Sequence, residues 1–289
     1  MARDIYLHAG AHRTGTSSFQ MALHVNRAVL KDAGYALAYP GRDGIPSGRL
    51  SLKLPAPRHG PKQAERFANR LAEQFANSDK PLIMSEENIP GRMFHFYAGR
   101  FYPAAEARLQ TLRAGFANAT FKRVVYVIRP YDALYVSAFR KRAEDNPVRP
   151  FSEIRPKLLE MDRGWPEIAA LMRDILQPEE LVILSYARRG SSRDLLSRLL
   201  PETFLTLDEP EQIKNLSATD RALEAVQARY AAGEALTRAQ WKAIIAEYAE
   251  ETEPRGFATF EPKQRAQLQA RYADDLTRIG DMPGVTLIS

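Results

Sequence analysis

The chain has 289 residues, 45% of them hydrophobic and 26% charged, with a formal net charge of +6 and no cysteine. That length and balance suit a soluble α/β domain with a sizeable core, and the lack of cysteine excludes disulfides, cysteine nucleophiles and thiolate metal sites. The positive charge favours anionic ligands such as a bis-phosphorylated nucleotide or an acidic glycan, whereas no basic helix, finger or aromatic RNA-binding signature points to specific nucleic-acid binding.

The first apolar run, Ile5 to Ala9, predicts a buried strand. A tight segment from Gly10 to Gly15 follows and carries a lone strong cation, Arg13. A helical pattern then starts at Thr16, with Phe19, Ala22, Leu23, Asn26, Val29, Leu30 and Ala33 at three- and four-residue steps. Strand, glycine-bearing turn and hydroxyl-rich helix start is the layout of a phosphate cradle. Glycine lets the backbone approach closely, and the free amides of the first helical turn favour an anion. The candidate donors are Arg13, the Gly15 amide and the hydroxyls of Thr14, Thr16, Ser17 and Ser18. Gly10 and Gly15 have the separation of a nucleotide-hydrolysing G-x-x-x-x-G-K-[ST] loop, but Thr16 stands where its lysine belongs.

Tyr35 to Tyr39 reads as a second strand. Pro40 to Pro61 is a long irregular loop rich in proline and glycine, with Arg42, Arg49, Lys53 and Arg58 along it. Loops of this length in compact domains serve as binding elements or lids, or are plain solvated excursions. A helix is predicted over Lys62–Asn77 and a buried strand over Pro81–Ser85. Glu86, Glu87 and Asn88 follow that strand, at the edge where parallel α/β folds put their ligands. The aromatic cluster Phe94, His95, Phe96, Tyr97, Phe101 and Tyr102 either walls a pocket or covers core. Ala104 to Ala114 reads as helix.

Val124 to Ile128 is β-branched and apolar, the mark of a central parallel strand, and Arg129 ends it before Pro130. From Tyr131 the pattern turns helical. Arg129 and Ser137, eight residues on, are spaced to meet on one anion, by a guanidinium fork and a hydroxyl. Helical segments follow around Pro156–Met161 and Trp165–Ile175, then a buried strand over Leu181–Ser185 that leads to Arg188 and Arg189. A short helix over Arg193–Leu200 precedes charged helices over Ala218–Ala232, Arg238–Tyr248 and Glu261–Ile279, read as a helical layer on the same single domain, residues 1–289. No internal repeat is present. The N-terminus shows no signal-peptide pattern, and no apolar run approaches the ~18 residues of a membrane span, so the default expectation is cytoplasmic. No H-E-x-x-H or comparable constellation occurs, and no catalytic metal is expected.

The loop Arg13-Thr-Gly-Thr-Ser17 resembles the sulfotransferase family, whose K-[ST]-G-T-[TS] loop grips the phosphosulfate end of 3′-phosphoadenosine-5′-phosphosulfate (PAPS). Arg13 in place of lysine is the one departure. The Arg129/Ser137 pair is similar to the family's second motif, which binds the 3′-phosphate. Softer likenesses to bacterial carbohydrate-type members are Ser85-Glu-Glu-Asn88, Asn215-Leu-Ser217 before a helix, and Arg271-Tyr-Ala-Asp-Asp275. The resemblance implies a P-loop-like parallel sheet flanked by helices and transfer of a sulfuryl group from PAPS to an acceptor hydroxyl, of a carbohydrate or another small molecule. It implies Glu87 as the base, with Glu86 and His95 in reserve, and Arg13 as an electrostatic clamp, since an arginine is a poor acid. Two alternatives stay open: an ATP- and magnesium-dependent kinase, and a non-enzymatic binder of nucleotides or anionic glycans.

Overall fold

The computed structural model describes residues 2–41, 44–201, 205–211 and 217–289. The chain runs β1 (Arg3–His8), α1 (Thr16–Val25), α2 (Arg27–Asp32), β2 (Ala36–Ala38), α3 (Pro61–Phe75), β3 (Leu82–Ser85), α4 (Ala105–Gly115), β4 (Ala119–Ile128) and α5 (Tyr131–Asp145). It continues with α6 (Phe151–Leu159), α7 (Trp165–Leu171), β5 (Glu180–Ser185), α8 (Ser192–Leu199), α9 (Asp220–Ala231), α10 (Arg238–Glu247), α11 (Pro262–Gly280) and β6 (Val285–Ile288).

The strands form one six-stranded sheet in the order β2-β3-β1-β4-β5-β6. Every pairing is parallel, with His8 opposite Ser85 on one side and Val125 on the other. Helices cover both faces, and the residues explain why. Val124, Tyr126 and Ile128 of β4 join Leu181 and Ile183 of β5 in a core that takes in Leu109, Leu134, Trp165 and Leu268 from the helices. The alternate residues Val125, Val127, Val182 and Leu184 pack on the opposite face against Phe19, Leu23, Leu195 and Leu199. Strands apolar on both sides need cover on both sides, and parallel crossovers supply it. The expected α/β class is the observed one.

Two differences from the sequence reading have physical reasons. The predicted helix from Thr16 to Ala33 is broken at Asn26, whose side-chain amide donates to the Ala22 carbonyl at 2.9 Å and the Asp208 carbonyl at 2.8 Å. Its oxygen accepts from the Asp208 amide at 2.7 Å, so a distant segment fixes the bend. The second difference is β6, where no strand was expected: Val285–Ile288 adds an edge strand through pairing with Leu181–Leu184. The helices before it also reach the main core, through Leu268, Tyr272 and Ile279 of α11. No helix among the described residues is long and apolar enough to cross a membrane.

β1 leads through α1 and α2 to one flank of the sheet, and its neighbour β4 leads through α5 to α7 to the other. Adjacent strands whose connections part in this way leave a crevice beyond their C-terminal ends, the usual ligand position in open α/β sheets.

Candidate functional site

Three adjacent strands bring arginines to that edge: Arg13 after β1, Arg129 after β4 and Arg189 after β5. The loop after β1 is shaped from within. The buried hydroxyls of Thr14 and Thr16 donate inward to the Ala11 carbonyl, at 2.6 and 3.4 Å. A Cβ on Gly10 would come within 2.5 Å of Thr16 Oγ1, so only glycine fits under the turn. Gly15 caps α1 in the left-handed region at φ 85°. The hydroxyls of Thr14 and Thr16 thus turn inward and a hydrogen-bonded turn spans residues 12 and 13, while the main-chain amides of Gly15 and Thr16 make no hydrogen bond among the described residues. Those amides lie at the N-terminus of α1, where free N–H groups and the helix dipole favour an anion. Ser17 and Ser18 are half-buried in its first turn.

Arg13 lies in the left-handed region as well, at φ 64°. A non-glycine residue there costs about 1–2 kcal/mol, and this conformation aims its side chain across the loop. Arg13 Nε donates to Ser137 Oγ at 2.8 Å. Arg129 Nη1 donates to the Arg13 carbonyl at 2.9 Å. The two stretches that the sequence set 116 residues apart are thus one hydrogen-bonded unit. Arg129 also lies 5.0 Å over the Tyr186 ring. Burial lowers its pKa from the ordinary value, Tyr186 opposes this, and the Arg13 charge adds to it.

The Arg129 corner has its own support. Trp165 Nε1 donates to the Arg129 carbonyl at 2.9 Å, and the Trp165 amide donates to Tyr131 Oη at 2.7 Å. Tyr131 in turn donates to Asp275, and Arg271 lies 5.1 Å over its ring. The segment Arg271–Asp275 therefore braces the turn that follows β4 rather than lining the cradle. Asn215 and Leu216 lie outside the described residues, as does Arg42; Ser217 is exposed, and α9 after it is capped by Thr219 Oγ1, which accepts from the Ala222 amide at 3.1 Å.

Arg189 was not assigned a role from the sequence. Its Nη2 donates to the Gly15 carbonyl at 3.2 Å and to Ser192 Oγ at 3.0 Å. A Cβ on Gly15 would stand 2.9 Å from its Nε, so the guanidinium packs directly on the loop. An arginine just past a buried strand end was the only available signal.

Beyond β3, Glu86 is buried and committed to its own turn: its Oε1 accepts from the Asn88 amide at 2.9 Å and from Asn88 Nδ2 at 2.7 Å. Glu87 is half-buried and close enough to His12 to raise its pKa against the stronger lowering by burial. His12 Nε2–H donates to the Gly91 carbonyl at 3.1 Å, which leaves Nδ1 as the acceptor in the neutral ring. His12 lines a cleft of ≈ 300 Å³ with Asn88, Arg92, Phe94, Tyr97 and Ala138, the residue after Ser137. His12 is thus a second basic group beside Glu87. His95 packs tilted against Phe94, ring centroids 4.1 Å apart, and opens to a neighbouring recess; burial, then Arg100 and Arg108, lower its pKa. Of the aromatic cluster, Phe96, Phe101 and Tyr102 are core, while Phe94 is exposed and Tyr97 lines the cleft. His8 is buried beneath the loop, with Nδ1 3.0 Å from Ser85 Oγ, and burial, then Arg189, push its pKa down to about 3.

No protein-family model, no curated protein and no solved structure matches the chain.

Proposed function

We propose that the chain is a sulfotransferase that moves a sulfuryl group from PAPS to an acceptor hydroxyl, with a carbohydrate as the favoured acceptor. The observation that carries this reading is the joined unit of Arg13, Ser137 and Arg129 beside unpaired loop amides. Two anion-binding strand ends on neighbouring strands suit a nucleotide that is anionic at both ends. The phosphosulfate would meet Arg13, Thr14, Gly15, Thr16, Ser17 and Ser18, chiefly through main-chain amides. The 3′-phosphate would meet Arg129 and Ser137.

In the transfer, the acceptor oxygen attacks sulfur in line. The new S–O bond forms as the bond from sulfur to the 5′-phosphate oxygen breaks, and adenosine 3′,5′-bisphosphate leaves. Glu87 takes the acceptor proton. Charge grows on the sulfuryl oxygens and the leaving oxygen, so fixed donors contribute most. Arg13 supplies a guanidinium there and clamps the leaving group without donating a proton outright.

Calorimetric titration with adenosine 3′,5′-bisphosphate, against ATP with magnesium, tests the donor. The bisphosphate is expected to bind more tightly. Preference for ATP with magnesium would replace this reading with a kinase. Transfer of radiolabelled sulfate from PAPS to an acceptor panel tests the chemistry, and bisphosphate binding with no transfer to any hydroxyl would leave a binding protein.

A further inference from the structure

The long loop after β2 ends against the turn that follows β3, and the two enclose a recess of ≈ 250 Å³. Its lining carries four cations, Lys53, Arg58, Arg92 and Arg108, and two imidazoles, His59 and His95. Among the described residues, no aspartate or glutamate lines it. Arg108 forms the floor. Its buried guanidinium donates to the carbonyls of Leu54, Pro55, Asn88 and Ile89, which ties the loop to the turn. Burial lowers its pKa only to about 10, so at neutral pH it remains a cation; Glu86, which opposes that lowering, lies outside the lining. His59 Nδ1 accepts from the Ala56 amide at 3.1 Å, so the neutral ring carries its proton on Nε2 as a donor. Phe94, 44% exposed, and Phe67 add ring faces.

Asn88, Arg92 and Phe94 line both this recess and the cleft that holds His12. One molecule can therefore occupy both. The volume suits a group about the size of one sugar ring, at the lower end of small-molecule sites. Four cations gathered in a partly enclosed site, with no carboxylate among the described lining residues, select for negative charge. We propose that the recess holds an anionic group of the acceptor, a carboxylate or a phosphate or sulfate ester, next to the hydroxyl that is sulfated. The basic loop is then the element that sets acceptor specificity. This inference rests on the sulfotransferase reading for the word acceptor, and on the recess alone for the anion.

The test uses glucose, glucuronate and glucose 6-phosphate, one ring that differs only at its last carbon. Each is titrated calorimetrically into the full chain, free and saturated with adenosine 3′,5′-bisphosphate. At least one anion is expected to bind about tenfold or more tightly than glucose. Preference for glucuronate assigns a carboxylate, and preference for glucose 6-phosphate assigns an ester. Lys53 and Arg58 are exposed, so a K53A/R58A variant should fold; it is expected to lose about tenfold in anion affinity and keep its bisphosphate affinity. Anions that bind no better than glucose, or a double variant that binds them unchanged, overturn the proposal. If the bisphosphate binds and the anions do not, the recess assignment falls alone. If the anions bind and the bisphosphate does not, the nucleotide reading falls and the recess stands as an anion site.

Discussion

Arg13 Nε and Ser137 Oγ are joined at 2.8 Å, so the cation of the first loop rests on a hydroxyl of the helix that follows β4. In the proposed reaction Arg13 serves the sulfuryl end, where charge develops, and its left-handed backbone holds it there. Arg13→Ala is expected to cut the rate of sulfuryl transfer by about 10²- to 10³-fold, the usual cost of one transition-state donor. Bisphosphate affinity should fall far less, because the carbonyl of residue 13 still accepts from Arg129. A variant whose rate is within a few-fold of the native protein's would remove Arg13 from the chemistry.

In the proposed reading, Arg129 serves the 3′-phosphate and not the sulfuryl end. Arg129→Ala should weaken adenosine 3′,5′-bisphosphate by about 10- to 100-fold, the range for a charge-assisted hydrogen bond. An analogue without the 3′-phosphate should lose little. Equal losses for the two ligands, measured by calorimetry, would mean that Arg129 only shapes the loop through the Arg13 carbonyl.

The parts of this site that were legible are local. Val124 to Ile128 is apolar at every position, which marks a strand covered on both faces, and an arginine before a proline marks its end. Eight residues from Arg129 to Ser137 cross the strand end and reach the second turn of α5, a distance set by helix geometry. What was not legible depends on partners remote in sequence. Arg189 meets Gly15 across 174 residues, and Asn26 is fixed by Asp208 across 182. The four residues of β6 have no pattern strong enough to announce a strand without β5 beside them. The inward turn of Thr14 and Thr16 is hidden for another reason: hydroxyl-rich sequence reads the same whether the hydroxyls face a ligand or the loop's own carbonyl.

Gly15 couples conformation to contact. Gly15→Ala places a Cβ at φ 85° and 2.9 Å from Arg189 Nε. The expected loss of stability is about 1–2 kcal/mol from backbone strain alone, plus the displacement of the guanidinium. In the double variant with Arg189→Ala the second part should vanish and the first persist. Urea unfolding of the two single variants and the double one separates the terms, and strict additivity would deny the contact.

His8 predicts a pH dependence. Its folded pKa is about 3 against an ordinary 6.5, because burial disfavours the charged ring. Above pH 6.5 the ring is neutral in both states and costs nothing. Between those values the unfolded chain takes up a proton that the folded one refuses, so stability falls as pH drops, with a slope of at most ~1.4 kcal/mol per pH unit. His12 is lowered in the same direction and adds to the slope. His8→Gln should show a shallower fall than the native protein when unfolding free energies are followed from neutrality to mildly acidic pH. Parallel slopes would place the proton uptake elsewhere.

In the proposed reaction two neighbours compete for the role of base. Glu87 and His12 interact electrostatically, and His12 donates to Gly91 through Nε2 while Nδ1 stays an acceptor. Glu87→Gln keeps shape and removes the carboxylate charge. It should leave bisphosphate affinity intact and slow transfer by about 10²- to 10⁴-fold. His12→Gln retains an N–H near the Nε2 position for the Gly91 carbonyl and removes the Nδ1 acceptor, so a rate within a few-fold of native is expected if Glu87 takes the proton. The reverse pattern, a slow His12→Gln beside a near-native Glu87→Gln, would move the base to the imidazole. Glu87 would then only raise the basicity of His12, and the acid limb of the rate profile should move to lower pH in Glu87→Gln, because loss of that carboxylate lowers the His12 pKa further.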